Sequence, residues 1–152
     1  MTTNDLIEEL GVEIDLIETI IKELISLKND LTEREPTVRE KTAVAAFMAQ
    51  FYGGIENILK RISRFYKIPL PSGDNWHVEL FKRFCEPPYQ SLPGLFNKQL
   101  ASNMAPFRKF RHVVYHGYGF QLDWDRIKDG LRNIEDLFHQ FKVRLNDYLQ
   151  LL

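Results

Sequence analysis

The apolar residues of this chain recur at steps of three and four along almost its whole length, and this period constrains the fold. The last segment is the clearest case, because one stripe continues without a fault through Trp124, Ile127, Leu131, Ile134, Phe138, Phe141, Leu145 and Tyr148. Such spacing places all these side chains on one face of an α-helix. No segment shows the sustained alternation of a strand. The sequence therefore predicts an all-α protein.

Two long helices are predicted in the first half of the chain. The first covers residues 4–33, and its apolar stripe consists of Ile7, Leu10, Ile14, Ile17, Ile21, Leu24 and Leu31. Pro36 ends it, because the residue before a proline is disfavoured in a helix. Thr37 and Glu40 have the spacing of a capping box, so a second helix begins there and runs to about Tyr66. Its inward face is predicted to carry Val44, Phe47, Phe51, Ile55, Ile58, Ile62 and Phe65.

Glycines and prolines divide the rest of the chain. The Gly53-Gly54 pair weakens the second helix but allows another helix to approach closely. A short helix is predicted over residues 76–84 and another over residues 92–115, where Pro106 is expected to cause a kink or begin a new helix. Trp76 and Trp124 are predicted core residues. No linker divides the chain, so residues 1–152 are predicted to be one domain, an antiparallel bundle of four to five helices. The near-heptad stripes also make a homodimer plausible.

Composition excludes several classes of protein. An apolar content of 44% is enough to form a core, which argues against disorder. The longest stretch without a charge, residues 42–55, has 14 residues, whereas a membrane-spanning helix needs about 20. The first residues lack the pattern of a secretory signal, and Cys85 is the only cysteine. We therefore expect a protein of the reducing cytoplasm.

The net charge of −1 hides an uneven distribution along the chain. Residues 1–35 contain ten acidic and three basic residues, whereas residues 41–111 contain four acidic and eleven basic ones. A basic region of this kind indicates an anionic ligand, although each run is also compatible with a solvated helix face. We expect the acidic helix to face solvent or a partner protein, and the basic centre to face the anion.

The densest chemical segment is residues 107–120, which hold three basic residues, two histidines, five aromatic residues and no acid. The guanidinium of an arginine presents a fixed fork of donors that matches phosphate oxygens. Histidine can exchange a proton near neutral pH, and aromatic rings can stack on unpaired bases. The segment therefore combines groups that can contact a phosphate, exchange a proton and stack on bases.

The arrangement within this segment leaves alternatives open. Arg111 and His116 lie about 140° apart on a continuous helix, so either the helix ends near Tyr115 or the two side chains act together with residues from elsewhere. His112 and His116 would share a face. A zinc site would need a third ligand, and the nearest acids, Asp123 and Asp125, lie beyond two glycines, so no metal is predicted. The alternative is that neither residue is catalytic. Arg111 would then form a structural ion pair, and the histidine would make a satisfied polar contact in the core.

The motif Arg111-His112-x3-His116 resembles the signature of the HEPN superfamily. Extended to Tyr118, it is similar to the Arg-x4-His-x-Tyr motif of HepT-like toxin ribonucleases, which belong to type II or type VII toxin–antitoxin systems of bacteria and archaea. Further stretches resemble the same branch, namely residues 51–60, 71–77, 110–114 and 118–124. The resemblance covers roughly residues 40–150, and the first helix shares only its length and amphipathic character.

The resemblance implies a metal-independent endoribonuclease that acts as a symmetric dimer on messenger or transfer RNA and needs no cofactor of its own. It implies His116 as the acid/base group, Arg111 as the clamp for the scissile phosphate, and a 2′,3′-cyclic phosphate product. His112 is then a supporting residue or a contact at the dimer seam. Apart from the resemblance, Glu56 is an acid of the second helix and a candidate to orient Arg111. Arg108 and Lys109 either follow the RNA backbone or are solvated surface charges.

Tyr118 has a separate implied role. In HepT-like toxins the tyrosine of this motif is the residue to which a minimal nucleotidyltransferase antitoxin attaches AMP, using its own ATP. An anionic nucleotide beside Arg111 would block the entry of a phosphate. The alternative for Tyr118 is a packing role below the glycine turn. The alternative for the whole chain is a non-catalytic HEPN-like bundle that binds a nucleotide or a nucleotidyltransferase, or a plain helical dimerisation module.

Overall fold

The computed structural model describes residues 1–31, 34–117 and 122–152, and within these ranges the chain forms five α-helices and no strand. The prediction of an all-α bundle is confirmed. The helices are α1 (Thr3–Asp30), α2 (Val38–Phe65), α3 (Trp76–Lys82), α4 (Lys98–His116) and α5 (Trp124–Gln150). No helix of the described ranges is both long and apolar enough to cross a membrane.

Helix α2 is the centre of the bundle, because it contacts each of the other four helices. Its start follows the predicted capping box: the Thr37 hydroxyl accepts from the Glu40 N–H, and the Glu40 carboxylate accepts from the Thr37 N–H. The predicted inward residues are buried except for Phe47 and Phe65, which are half-buried. The stripe on α5 is buried from Ile127 to Tyr148, while Trp124 and Trp76 are half-buried against the core.

Three sequence predictions about the helices are wrong in detail. In α1 the buried stripe begins at Leu6, while Ile7 is 40% exposed, because the stripe turns slowly around the helix. The third helix ends at Lys82, two residues earlier than expected. The fourth begins at Lys98 because Pro93 and Gly94 hold the preceding segment in an irregular course, although Leu92 and Leu95 are buried there.

Gly54 is the point of closest approach between α1 and α2. A methyl group added at Gly54 would lie 2.5 Å from Cγ1 and 2.9 Å from Cδ1 of Ile17, which is itself 1% exposed. The same group added at Gly53 would meet no atom within 4 Å. The predicted close helix approach is therefore confirmed, and it depends on Gly54 alone.

Substitution by alanine is consequently expected to have opposite effects on stability at the two glycines. We expect Gly54→Ala to lower the free energy of unfolding by about 1–3 kcal/mol, because the buried Ile17 must shift. Gly53→Ala should raise it by about 0.5–1 kcal/mol, because alanine is the better helix former. Urea denaturation of both variants measures this contrast, and equal effects of the two substitutions would contradict the packing described here.

Several acidic residues of α1 pair with bases of the bundle. Arg61 on α2 donates to Glu9 at 2.9 Å and to Glu13 at 3.1 Å, and Lys142 on α5 donates to Glu18 at 3.0 Å. Glu13 is only 6% exposed, so the prediction that the acidic residues of the first helix face solvent or a partner is wrong for this one. The pairing explains how an acidic helix packs stably against a basic centre.

The N-terminus of α2 makes the stability of the fold sensitive to acid. Hydrogen bonds from Arg34, followed by those from Thr37, lower the pKa of Glu40 from 4.5 to about 2. Since the folded chain prefers the carboxylate, this stabilisation is complete above pH 4.5 and is lost as the pH falls towards 2. We expect the urea midpoints of the wild type and Glu40→Gln to differ at neutral pH and to converge in acid. A difference that does not change with pH would contradict this role.

Candidate active site

Helix α4 carries the predicted motif, and its position is set by local contacts. The Asn97 side chain caps the helix by accepting from the Leu100 N–H at 2.8 Å. Pro106 lies inside a single continuous helix, so it does not begin a new one as the sequence allowed. Phe107 is buried in the core, and Arg111, one turn later, lies on the same face of the helix. The core contacts of α4 therefore direct Arg111 towards α2.

Arg111 meets a buried carboxylate on α2. Its Nε lies 3.6 Å from Oε1 of Glu56, and the Glu56 side chain is only 2% exposed. The Arg111 side chain is 27% exposed, and its guanidinium lies 4.9 Å from the centre of the Tyr115 ring. A buried carboxylate strongly favours a nearby cation, because it is shielded from water. The structure thus places Glu56 where the sequence hypothesis needed it to orient Arg111.

A third member of this cluster, His77, was missed by the sequence reasoning. Its Nδ1 lies 2.5 Å from Oε2 of Glu56, and Nη1 of Arg111 lies 3.4 Å from its Nε2. His77 belongs to the stretch 71–77 that resembles HepT-like proteins, and this was the only signal in the sequence. Glu56 therefore holds one group on each carboxylate oxygen, an imidazole from α3 and a guanidinium from α4.

Three buried polar atoms at or beside the site have no hydrogen-bond partner in the described chain. These are the hydroxyl of Tyr52, Nε of Arg108 and Nε of Arg111, whose 3.6 Å contact with Glu56 is an ion pair and not a hydrogen bond. The Arg108 guanidinium lies 5.6 Å from the centre of the Phe81 ring. Burial raises the pKa of Tyr52, and the charge of Glu56 raises it further. Arg108 is thus packed against α3, while its neighbour Lys109 is exposed. Of the two predicted RNA contacts, only Lys109 lies freely on the surface.

The two histidines of the motif lie on a different face of α4. Both His112 and His116 are exposed, and their ring centres are 4.5 Å apart, so the predicted shared face is confirmed. The helix includes His116 and is followed by Gly117 as its C-cap, so His116 keeps its helical direction and does not turn back to Arg111. Within one chain the structure therefore does not bring Arg111 and His116 together.

Tyr118 lies outside the described residues, so its predicted role has no structural counterpart here. In the described part of the chain, no group of three or more His, Cys, Asp or Glu side chains is arranged to hold a metal ion.

Helix α4 lies between two surface grooves. One, of about 610 Å³, is bordered by α1, α2 and α4, and Arg111 and Tyr115 line it together with Lys60 and Asn57. The other, of about 640 Å³, runs between α4 and α5 past Lys109 and is lined largely by apolar groups. The first groove gives a solvent route to Arg111, and its cations, amide and aromatic ring are groups that can contact a nucleotide.

A family model described as HepT-like protein matches residues 43–152, which is more than two thirds of the chain. The match includes Glu56, His77, Arg111 and His116, whereas α1 lies outside it. A comparison with curated proteins found no match. Likewise, no solved structure matches the chain.

Proposed function

Because this chain belongs to the HepT-like family, we propose that it is the toxin of a HEPN/MNT toxin–antitoxin system, a cytoplasmic endoribonuclease of a bacterium or archaeon. One structural observation supports this proposal in addition to the family membership. Arg111 is held by the buried Glu56 beside an open groove, on the same helix as the exposed His116. The chain thus combines a preorganised cation with an accessible imidazole, which are the groups that phosphodiester cleavage by a 2′-hydroxyl requires.

The proposed reaction uses the nucleophile that RNA itself supplies. The 2′-oxygen attacks the neighbouring phosphorus and loses its proton to a base, while the 5′-oxygen leaves with a proton from an acid. Arg111 would hold the phosphate oxygens and stabilise the charge that develops on them, and His116 would transfer a proton. His112, whose ring contacts that of His116, would support its position. No metal ion or cofactor takes part in this scheme.

We propose that the working unit is a homodimer whose cleft contains the motifs of both chains. The geometry of α4 supports this proposal, because Arg111 faces α2 while His116 projects from another side of the helix. A second copy could bring its exposed histidine to a phosphate held by Arg111. Lys109, also exposed, would follow the RNA backbone. Sedimentation equilibrium should then give twice the chain mass of 18.0 kDa.

Incubation of the unmodified protein with RNA in excess EDTA tests the proposed function. We expect cleavage of a messenger or transfer RNA, and no cleavage of DNA of the same sequence, because DNA lacks the 2′-hydroxyl. Cleavage abolished by EDTA would contradict the mechanism. Binding of RNA or nucleotide without any cleavage would support the alternative of a non-catalytic HEPN-like bundle.

We further propose that a minimal nucleotidyltransferase antitoxin inactivates the protein at Tyr118. The phenolic oxygen would attack the α-phosphorus of ATP bound to the antitoxin, pyrophosphate would leave, and the phenolic proton would pass to solvent. The attached AMP would bring an anion close to the motif and compete with RNA for Arg111.

Intact-mass analysis after co-expression with a neighbouring nucleotidyltransferase gene tests the modification. We expect a mass increase of one or more AMP groups, and its loss in Tyr118→Phe. Tyr115→Phe is a matched control, because Tyr115 is an exposed tyrosine of the same region. A modification that persists in Tyr118→Phe would contradict the proposed role of this residue.

A further inference from the structure

His77 forms a carboxylate–imidazole pair with Glu56 that the Arg-x4-His motif does not include. Cleavage by a 2′-hydroxyl needs two proton transfers, one from the nucleophile and one to the leaving oxygen. The proposed function assigns one group, His116, to proton transfer. We propose that His77 is the general base that accepts the proton of the 2′-hydroxyl, with His116 as the acid; this inference rests on the proposed ribonuclease function.

The environment of His77 fixes the roles of its two ring nitrogens. Oε2 of Glu56 lies 2.5 Å from Nδ1, and a carboxylate can only accept a hydrogen bond, so Nδ1 carries the proton. The lone pair then lies on Nε2, which has the chemistry to accept a proton from a substrate once the long contact with Arg111 is displaced. The Glu56 carboxylate is buried, while the His77 side chain is 30% exposed, so the pair is anchored at one end and open at the other. A carboxylate oriented in this way commonly holds the histidine of a proton-transfer site.

Arg111 connects this pair to the phosphate. Its Nη1 lies 3.4 Å from Nε2 and 3.5 Å from Nδ1 of His77, and both distances are longer than the usual 2.7–3.2 Å of a hydrogen bond. Phosphate oxygens carry a negative charge and bind a guanidinium more strongly than a neutral imidazole does. An RNA phosphate would therefore displace this weak contact, and the bound phosphate would lie next to Nε2.

The resulting step is balanced in protons and bonds. Nε2 of His77 takes the proton of the 2′-hydroxyl as the oxygen–phosphorus bond forms, and the imidazolium is stabilised by Glu56. The bond to the 5′-oxygen breaks, and this oxygen takes a proton from the His116 that the second copy brings to the cleft. The charged groups that face His77 are Glu56 from α2 and Arg111 from α4, while Lys60 lies over the ring of the adjacent Trp76.

The competing explanation is that His77 has a purely structural role. Two substitutions distinguish this role from that of a general base. In His77→Asn the amide nitrogen can replace Nδ1 as the donor to Glu56, but no group replaces Nε2. In His77→Gln the amide can approach the position of Nε2, but it cannot accept the proton. If His77 only satisfies Glu56, His77→Asn should be active; if it is the base, both variants should lose at least about 100-fold in kcat.

The experiment compares the wild type, His77→Asn, His77→Gln and His116→Ala on RNA with oxygen or sulfur at the 5′ position of the scissile bond. A thiolate leaves without a proton, so the sulfur substrate needs a base but no acid. We expect the sulfur substrate to restore most of the activity of His116→Ala and none of the activity of the His77 variants. The His77 variants should keep a KM near that of the wild type. The pH–rate profile of the His77 variants on this substrate should also lose its ascending limb.

The outcomes separate this inference from the proposed function. An inactive wild type overturns both. An active wild type together with an active His77→Asn overturns the inference and leaves the ribonuclease intact. Restoration of the His77 variants, rather than of His116→Ala, by the sulfur substrate would overturn the assignment of His77 as the base. Thermal unfolding of each variant shows whether it is folded. If His77→Asn is unfolded, the activity of His77→Gln tests the inference instead.

Discussion

Replacing His116 by alanine is expected to slow RNA cleavage by about 10²–10⁴-fold, which is the usual contribution of a positioned acid or base. The loss should appear in kcat, because the phosphate is bound by Arg111 and not by the imidazole. The stability of the fold should change little, because His116 is exposed in the last turn of α4, where its ring lies beside that of the exposed His112. Single-turnover cleavage of an end-labelled RNA measures the effect.

His139→Ala provides the matched control for this variant. His139 is also exposed, lies on α5, and is not among the residues that line the groove beside Arg111. We expect it to cleave at the rate of the wild type. A His116→Ala protein that cleaves RNA within a factor of three of the wild type would exclude His116 from proton transfer.

Replacing Arg111 by alanine should reduce cleavage by about 10²–10³-fold, because it removes the group that stabilises the charge on the phosphate. Arg111→Lys should recover only part of this loss, since an ammonium keeps the charge but lacks the planar fork of donors. The alanine variant should also be less stable, because Glu56 remains buried and loses one of its two partners, Arg111 and His77, in the described part of the chain.

This coupling between activity and stability requires two measurements on each variant. Urea denaturation establishes whether Arg111→Ala is folded under the assay conditions, and Arg111→Lys, which keeps a cation beside Glu56, should be closer to the wild type in stability. Arg132→Ala is the control, because Arg132 is an exposed arginine of α5. Full activity in a folded Arg111→Ala protein would rule out the proposed clamp.

Much of the fold could be predicted from local patterns. The capping box at Thr37 fixes the start of α2 within the sequence itself, because both partners lie within four residues of each other. The buried stripe of α5 is equally visible, since its period matches that of a helix. The separation of Arg111 from His116 also follows from helical geometry once α4 is known to be continuous.

Other features depend on contacts between distant segments and could not be predicted. The start of α4 at Lys98 depends on how the helices pack together. The same holds for the burial of Leu6 and the exposure of Ile7, since the apolar pattern was compatible with either residue in the core. The pair formed by Glu56 and His77 joins residues 21 positions apart. A lone histidine after a tryptophan carries no sign of a buried carboxylate partner, so only the packing of α3 on α2 reveals the pair.

The charge distribution is a further feature that the sequence reveals only in part, because it does not show which charges pair with each other. An acidic first segment and a basic centre were evident in the sequence, and they indicated an anionic ligand for the centre. The structure adds that Arg61, a base of this centre, is already paired with Glu9 and Glu13 of α1. Not every base of the centre is therefore available to RNA, and Arg111 reaches solvent through a groove that also has acidic residues on its α1 side.

The central claim is that this chain cleaves RNA through the 2′-hydroxyl of its substrate. Mass spectrometry of the fragments produced by the unmodified wild-type protein in EDTA tests it most directly. We predict a 5′ fragment that ends in a 2′,3′-cyclic phosphate and a 3′ fragment that begins with a 5′-hydroxyl. Intact RNA, or fragments that begin with a 5′-phosphate, would contradict it.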